Sequence, residues 1–356
     1  MLRDLRPSGR SSLPAVLCAV LMAAAAWLPA APAEAQDIAG AGSTFVQPLL
    51  NRWSQDYLQA ERTAEFQPVG SGLDYEAVGS QAGVMRLTER AVDFAATEVP
   101  LSDDELARYA VRQFPIVVGG IVVAVNIEGL GDAPLRLNGE VLADIYLGKV
   151  TSWADPAVAA LNPDMRLPDA RITPVRRADG SGTTYAFTDF LARASAAWRP
   201  IGVGQTVAWP TGLAAKGNDG VARTVRETKN AIGYVDFASA QRAGLRRAAL
   251  LNRAGRFVVP EPEAFRAAAA GADWRSGRAS ATSLVDAAGE GAYPIVAVTY
   301  VVLPAATPPG RATRSALTFF DWGLERGASA AAGLGYVPLP PPAVEQVRAS
   351  WSAAKR

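Results

Sequence analysis

Two apolar runs constrain this chain more than any other feature. Phe114 to Ile127 (FPIVVGGIVVAVNI) and Pro294 to Leu303 (PIVAVTYVVL) are unbroken by charge and rich in Val and Ile. Both are too short to cross a bilayer, which takes about 20 apolar residues in a helix. Length and β-branched content make them buried strands, with Gly119-Gly120 expected to break the first. Two such strands flanking a long middle section imply a chain that leaves one lobe, builds a second and returns. The 356 residues agree, being more than one hydrophobic core usually organises.

Residues 1–35 stand apart. Arg3, Arg6 and Arg10 make a basic start, Leu13 to Leu28 a short apolar run, and Ala33-Glu34-Ala35 a small-x-small cleavage site. Together they make a secretory signal peptide, with the mature chain starting near Gln36. A membrane anchor competes, but Pro14 and Pro29 bracket a run that is short for one. Cys18 raises lipidation, although Leu17 stands where a small residue is wanted. The leader takes three Arg and two acids from totals of 35 basic and 34 acidic residues, so the mature charge balances. A balanced charge argues against nucleic acid or an anionic membrane surface as a partner.

Absent residue types narrow the chemistry. The chain has no His, and its single Cys is Cys18. The mature chain therefore has no Ser-His-Asp triad, no thiol nucleophile, no imidazole or thiolate metal site and no disulfide. No acidic cluster suggests a carboxylate-held metal. The expectation is a binding protein with neither metal nor cofactor, and not an enzyme.

Arg176-Arg177-Ala178-Asp179-Gly180-Ser181-Gly182-Thr183-Thr184 supplies the first candidate site. It leads into an apolar helical run (Tyr185, Phe187, Phe190, Leu191). Ser181, Gly182 and Thr183 fall where the first N–H groups of a helix point outward, and the helix dipole favours an anion there. Arg177 adds a permanently charged fork suited to an oxyanion. A capped surface helix after a turn is the competing explanation of the same residues.

Similar junctions recur. Ile38-Ala39-Gly40-Ala41-Gly42-Ser43-Thr44-Phe45 is strand, Gly turn and helix start, continued at helical spacing by Leu49, Leu50, Trp53 and Tyr57. Tyr75 to Val84 repeats the pattern around Ser80; Ser71, in a near copy upstream, is the alternative, with residues 61–73 taken as a loop extension. Val92 to Glu98 is a strand ending in a carboxylate, where open α/β sheets bind ligands. Lys216-Gly217-Asn218-Asp219-Gly220 has the wrong order for a nucleotide loop, so Asn218 and Asp219 are expected to be turn and cap residues before a helix starting at Val221.

These segments resemble, in order, those of the periplasmic phosphate-binding proteins of phosphate ABC transporters. The matching stretches are IAGAGSTF, YEAVGSQAGV, VDFAATEVPLSDDEL, FPIVVGGIVVAVNI, LADIYLGKVTSW, LNPDMRLPDARITPVRRADGSGTT, KGNDGVA, AIGYVDFA, AYPI, FFDWGLERGA and VEQVRASW, covering nearly all of residues 38–353. The resemblance implies an α/β, two-lobed periplasmic-binding-protein fold of the type II, Venus-flytrap kind, with mixed sheets and two hinge crossings. Lobe I would comprise residues 36–117 and 294–356, and lobe II residues 118–293. It further implies inorganic phosphate as ligand, bound by Thr44, Phe45, Ser80 and Glu98 from one side and by Arg177, Ser181, Gly182 and Thr183 from the other, with Asp179 supporting the arginine. Membrane permease subunits would be the partners, and the protein a periplasmic monomer. The family usually has Asp where this chain has Glu98, and often two glycines where it has Ala214-Ala215.

Glu98 bears on ligand choice. Hydrogen phosphate carries a P–O–H donor that sulfate lacks, so a buried acceptor discriminates between them. Arsenate shares that donor, and phosphonate is a further relative. A secreted phosphohydrolase or phosphate-scavenging adhesin is the rival from another class; the hydrolase would need a nucleophile or metal ligands.

Overall fold

The computed structural model describes residues 38–353, except 64–71, 132, 273, 275–282 and 307. The expected leader at 1–35, Cys18 and Ser71 lie outside the described residues.

The chain begins with strand–helix repeats. Ile38–Gly42 (β1), Gln47–Thr63 (α1), Leu73–Glu76 (β2), Ser80–Thr88 (α2) and Phe94–Thr97 (β3) follow in order, with β2 and β3 both parallel to β1. Helix α1 exists because its apolar residues fall on one face. Leu49, Leu50 and Trp53 are buried, and the Trp53 indole donates to the Gly327 carbonyl at 2.9 Å. Burying a side chain of that size stabilises by roughly 1.5–3 kcal/mol. Asp103–Tyr109 (α3) starts at a capping box, Ser102 exchanging hydrogen bonds with Glu105.

Val111–Asn126 (β4) is one strand of 16 residues. The expected break at Gly119-Gly120 does not occur. A Cβ on Gly119 would meet the Phe45 ring at 2.6 Å, and one on Gly120 would collide with the Phe265 ring. The two glycines make room for aromatic rings against the strand.

The middle section runs Arg136–Leu137 (β5), Gly139–Tyr146 (α4), Pro156–Ala159 (α5), Thr173–Arg177 (β6), Gly182–Ala194 (α6), Leu213–Ala215 (β7), Gly217–Glu227 (α7), Ala231–Asp236 (β8) and Phe237–Arg242 (α8). Then come Arg246–Arg247 (β9), Ala249–Leu251 (β10), Phe257–Val258 (β11) and Pro262–Ala270 (α9). The return strand is Val296–Pro304 (β12), followed by Arg311–Arg326 (α10), Ala328–Gly333 (α11), Val337–Pro338 (β13) and Pro341–Ala353 (α12). Residues 61–73 are not one loop, since α1 reaches Thr63 and β2 starts at Leu73.

The larger sheet runs β2-β1-β3-β12-β4-β8-β6-β7, with β9 and β13 also on β4. Strand β12 lies between β3 and β4, antiparallel to both. Beyond β4, the antiparallel β8 carries the parallel β6 and then β7. The N-terminal half of β4 is thus shared with β12, and its C-terminal half with β8. A small sheet of β11-β10-β5 stands apart. Among the described residues, no helix is long and apolar enough to cross a membrane.

Candidate functional site

One strand end and several helix starts converge. Strand β3 delivers Glu98 just past its carboxyl end; Ser43, Thr44 and Phe45 lie between β1 and α1; Ser80 opens α2. From the other side come Arg177 at the end of β6, Ser181 as the cap of α6, and Asn218 in the first turn of α7.

Glu98 is only 4% exposed, and hydroxyls surround it. Ser43 Oγ lies 2.7 Å from each carboxylate oxygen, Thr299 donates to Oε1 at 3.0 Å and Ser80 to Oε2 at 3.1 Å. Ser43 Oγ itself accepts the Phe45 N–H at 3.0 Å, and Ser80 Oγ accepts the Gly182 N–H at 3.1 Å. Those incoming bonds leave the two hydroxyl protons free to point at Glu98. Burial raises the Glu98 carboxyl above its ordinary range, although the hydroxyls of Ser43, Thr299 and Ser80 and the charge of Arg177 oppose the rise.

Arg177 is 3% exposed. Its Nε and Nη2 fork onto Asp179 at 2.8 and 2.5 Å, while Nη1 faces Asn218 Oδ1 at 3.2 Å and Thr183 Oγ1 at 3.4 Å. Asp179 also accepts the Gly217 N–H at 2.9 Å. Burial works to raise the Asp179 carboxyl, but the hydrogen bonds and charge of Arg177, with the Gly217 N–H, hold it below the usual range. Beneath the arginine, the Tyr234 hydroxyl accepts the Arg177 N–H at 3.2 Å and bonds Thr184 Oγ1 at 2.8 Å. The Tyr234 ring stacks on Phe187 at 4.1 Å. The guanidinium is therefore fixed by its backbone and by its fork.

The two sides touch directly. Thr44 Oγ1 accepts from the Asn218 backbone N–H at 3.2 Å and from its Nδ2 at 3.0 Å. The Gln81 N–H donates to the Gly180 carbonyl at 3.2 Å. Gly182 faces Glu98 and Ser80 without a side chain, and Gly79 faces Asp179.

Every residue expected at the site lies in or beside this cluster. Four have their expected groups committed within the chain: the Phe45 N–H donates to Ser43, the Gly182 N–H donates to Ser80, Ser80 donates in turn to Glu98, and Ser181 gives its N–H to the Gln205 carbonyl while its Oγ accepts the Thr184 N–H. Sequence reasoning missed Ser43, Asn218 and Thr299. Asn218 corrects an expectation. The helix starts at Gly217 rather than Val221, so Asn218 is neither a turn residue nor the cap; it is 1% exposed and wedged between Arg177, Thr183 and Thr44. Asp219 lies in the same first turn and pairs with Arg242 at 2.8 Å.

A mixed sheet with buried carboxylate and guanidinium groups facing each other among helix starts defines a ligand-binding protein of the periplasmic type, and residues 29–326 match the PBP superfamily domain. Solved structures share the fold. A high-affinity periplasmic phosphate-binding protein (PfluDING) bound with phosphate has a TM-score of 0.68 at 22% identity, over 88% of this chain and 94% of that one. A putative phosphate ABC transporter substrate-binding protein from Clostridium perfringens gives 0.61 at 18%, over 86% and 100%. The phosphate-binding protein PstS of Xylella fastidiosa is 40% identical over 317 residues, 89% of this chain and 85% of that protein. PstS of Haemophilus influenzae is 38% identical over 320 residues, 90% and 93%. The chain belongs to the PstS family of phosphate-binding proteins.

Proposed function

We propose that this chain is a periplasmic receptor that captures inorganic phosphate and hands it to the membrane subunits of an ABC-type phosphate importer. The observation that carries the reading is a buried carboxylate, Glu98, placed opposite Arg177, whose own carboxylate partner Asp179 is already bonded to the guanidinium and to the Gly217 N–H. Arg177, helix-start N–H groups and hydroxyls suit any tetrahedral dianion. Glu98 accepts the proton that hydrogen phosphate carries. Sulfate has none to give and meets an unpaired like charge, a mismatch that sites of this kind punish by about 10⁴-fold or more. Arsenate has the same hydroxyl and competes with phosphate.

Residues 36–117 with 294–356 form one lobe and residues 118–293 the other. Thr44, Phe45, Ser80 and Glu98 contact phosphate from the first; Arg177, Ser181, Gly182 and Thr183 contact it from the second, with Asp179 holding the arginine; Phe45, Ser80, Ser181 and Gly182 exchange bonds they make within the chain for bonds to the ligand. Ligand completes a shell that exists only when the lobes are closed, and so shifts the population toward closure. A mature chain without His or Cys has no imidazole base and no thiol nucleophile with which to turn over phosphate esters, and the receptor acts as a monomer. Residues 1–35 direct it to the periplasm and are removed.

Calorimetry of the mature chain with phosphate, arsenate and sulfate tests this. Phosphate and arsenate should bind and sulfate should not; Glu98→Gln should erase most of the discrimination. Failure of the wild type to bind phosphate ends the proposal, and unchanged selectivity in Glu98→Gln ends the role given to Glu98.

A further inference from the structure

Besides Tyr300, Thr299 is the one side chain with a polar group in a strand that reads Val-Ala-Val before it and Tyr-Val-Val-Leu after it. It is fully buried, and its hydroxyl meets Glu98 Oε1 at 3.0 Å. A valine would occupy nearly the same volume without a hydroxyl to satisfy, so packing alone does not account for threonine here. The backbone is irregular at the same point. Thr299 pairs with Val117 but Tyr300 pairs with Pro115, leaving Ile116 as an extra residue in β4. A bulge of this kind bends and twists the strands locally, and Pro115 suits it because it has no N–H to offer the ladder.

A carboxylate has about four lone-pair positions. Ser43, Thr299 and Ser80 direct three hydroxyls at Glu98, which leaves one acceptor direction for a ligand. Resting on the role proposed for Glu98, we infer that Thr299, with Ser43, is a positioning residue: the two hydroxyls hold Glu98 in its ionised form with its remaining lone pair turned to the proton of the bound oxyanion. Neither side chain needs to touch the ligand. The other charged and titratable groups acting on Glu98 are Arg177, Tyr75 and Tyr336, and both phenols stay protonated because burial raises them well above their ordinary range. Tyr185, Asp189 and Arg193 stand across a small cavity that Glu98 also lines. None of these six replaces the Thr299 hydroxyl at Oε1.

The test is phosphate and sulfate calorimetry between pH 5.5 and 8.5 on the mature wild type, Thr299→Val, Thr299→Ser, Ser43→Ala and Glu98→Gln. Thr299→Val should weaken phosphate about tenfold at the acid end and less at the alkaline end, because Glu98 with one donor fewer takes up a proton at higher pH. Thr299→Ser should restore the wild-type profile, and Ser43→Ala should move the acid limb in the same direction. A purely structural Thr299 would lower the melting temperature and leave the profile in place. An unmoved acid limb in Thr299→Val overturns the inference, and an unmoved limb in Ser43→Ala does so if Thr299→Val does not fold. Glu98→Gln with intact phosphate-over-sulfate selectivity overturns the underlying role of Glu98 instead.

Discussion

Gly182 presses its backbone against Glu98 so closely that a β-carbon on Gly182 would overlap the Glu98 carboxylate and lie 2.8 Å from the Ser80 hydroxyl. Two residues far apart in sequence, one opening a helix and one ending a strand, thus meet with no side chain between them. Gly182→Ala should therefore weaken phosphate by 10- to 100-fold, since forcing atoms into a packed site costs about 1–3 kcal/mol. Gly220→Ala is the contrasting case. Gly220 lies inside helix α7 and its β-carbon would make ordinary contact at 3.7 Å with Ala215 at the end of β7, so stability should rise by about 0.5–1 kcal/mol with phosphate affinity unchanged. Calorimetry paired with thermal unfolding checks both.

Asn218→Asp replaces an amide by a carboxylate of the same shape beside Arg177 Nη1, which Asn218 Oδ1 faces at 3.2 Å. The new charge should pair with the guanidinium and repel an incoming dianion. Phosphate affinity should fall by more than about 100-fold, as expected for a like charge in a dry site. The ligand-free protein should melt at the same temperature or higher. Wild-type affinity in this variant would remove Asn218 from the site.

Asp236 gives a pH test away from the ligand. It is fully buried; Oδ1 accepts the Ser239 N–H at 2.8 Å and caps helix α8, while Oδ2 has no hydrogen-bond partner among the described residues. Burial pushes its carboxyl from 3.8 up to about 6, against the Ser239 hydrogen bonds. The folded state then holds this proton more tightly than the unfolded state. Its stabilisation is complete below the unfolded value, is lost as pH rises through the window up to about 6, and stays lost above it. Asp236→Asn keeps a good cap and removes the buried charge. It should stabilise by up to about 3 kcal/mol at pH 7.5, on the scale of about 1.4 kcal/mol per pKa unit. Thermal unfolding should show that gain disappearing near pH 4. Asp179 behaves oppositely: held low, it stabilises above its ordinary value of 3.8 and loses that contribution only as pH falls further.

Much of the site was legible because its parts are local. The turn from Arg177 to Thr183 and the strand end at Glu98 each carry their signal in a few consecutive residues, and each forms the element expected of it. What escaped depends on distance. Thr299 is 201 positions from Glu98 and, within its own strand, passes for one more buried β-branched residue. An Asn in a Gly-rich segment suits a turn by local preference, and only the approach of Thr44 and Arg177 makes Asn218 part of the site. Gly119-Gly120 misled in the opposite sense, because the rings that need the space come from Phe45 and Phe265. Ser43 lay inside a recognised motif, but spacing alone does not say which of three neighbouring residues turns inward.

The position of β12 between β3 and β4 sets the timing of folding. Its residues, Val296–Pro304, come near the end of the chain, whereas both neighbouring strands are complete by Asn126. A chain emerging from its N-terminus must hold two unpaired strand edges open across the synthesis of the whole middle section. Pairing across such a separation is slow, and open edges invite association with other chains. Loss of the C-terminal part would therefore do more than shorten the molecule: it would leave the central sheet unjoined and take away Thr299, one of the three hydroxyls that cradle Glu98.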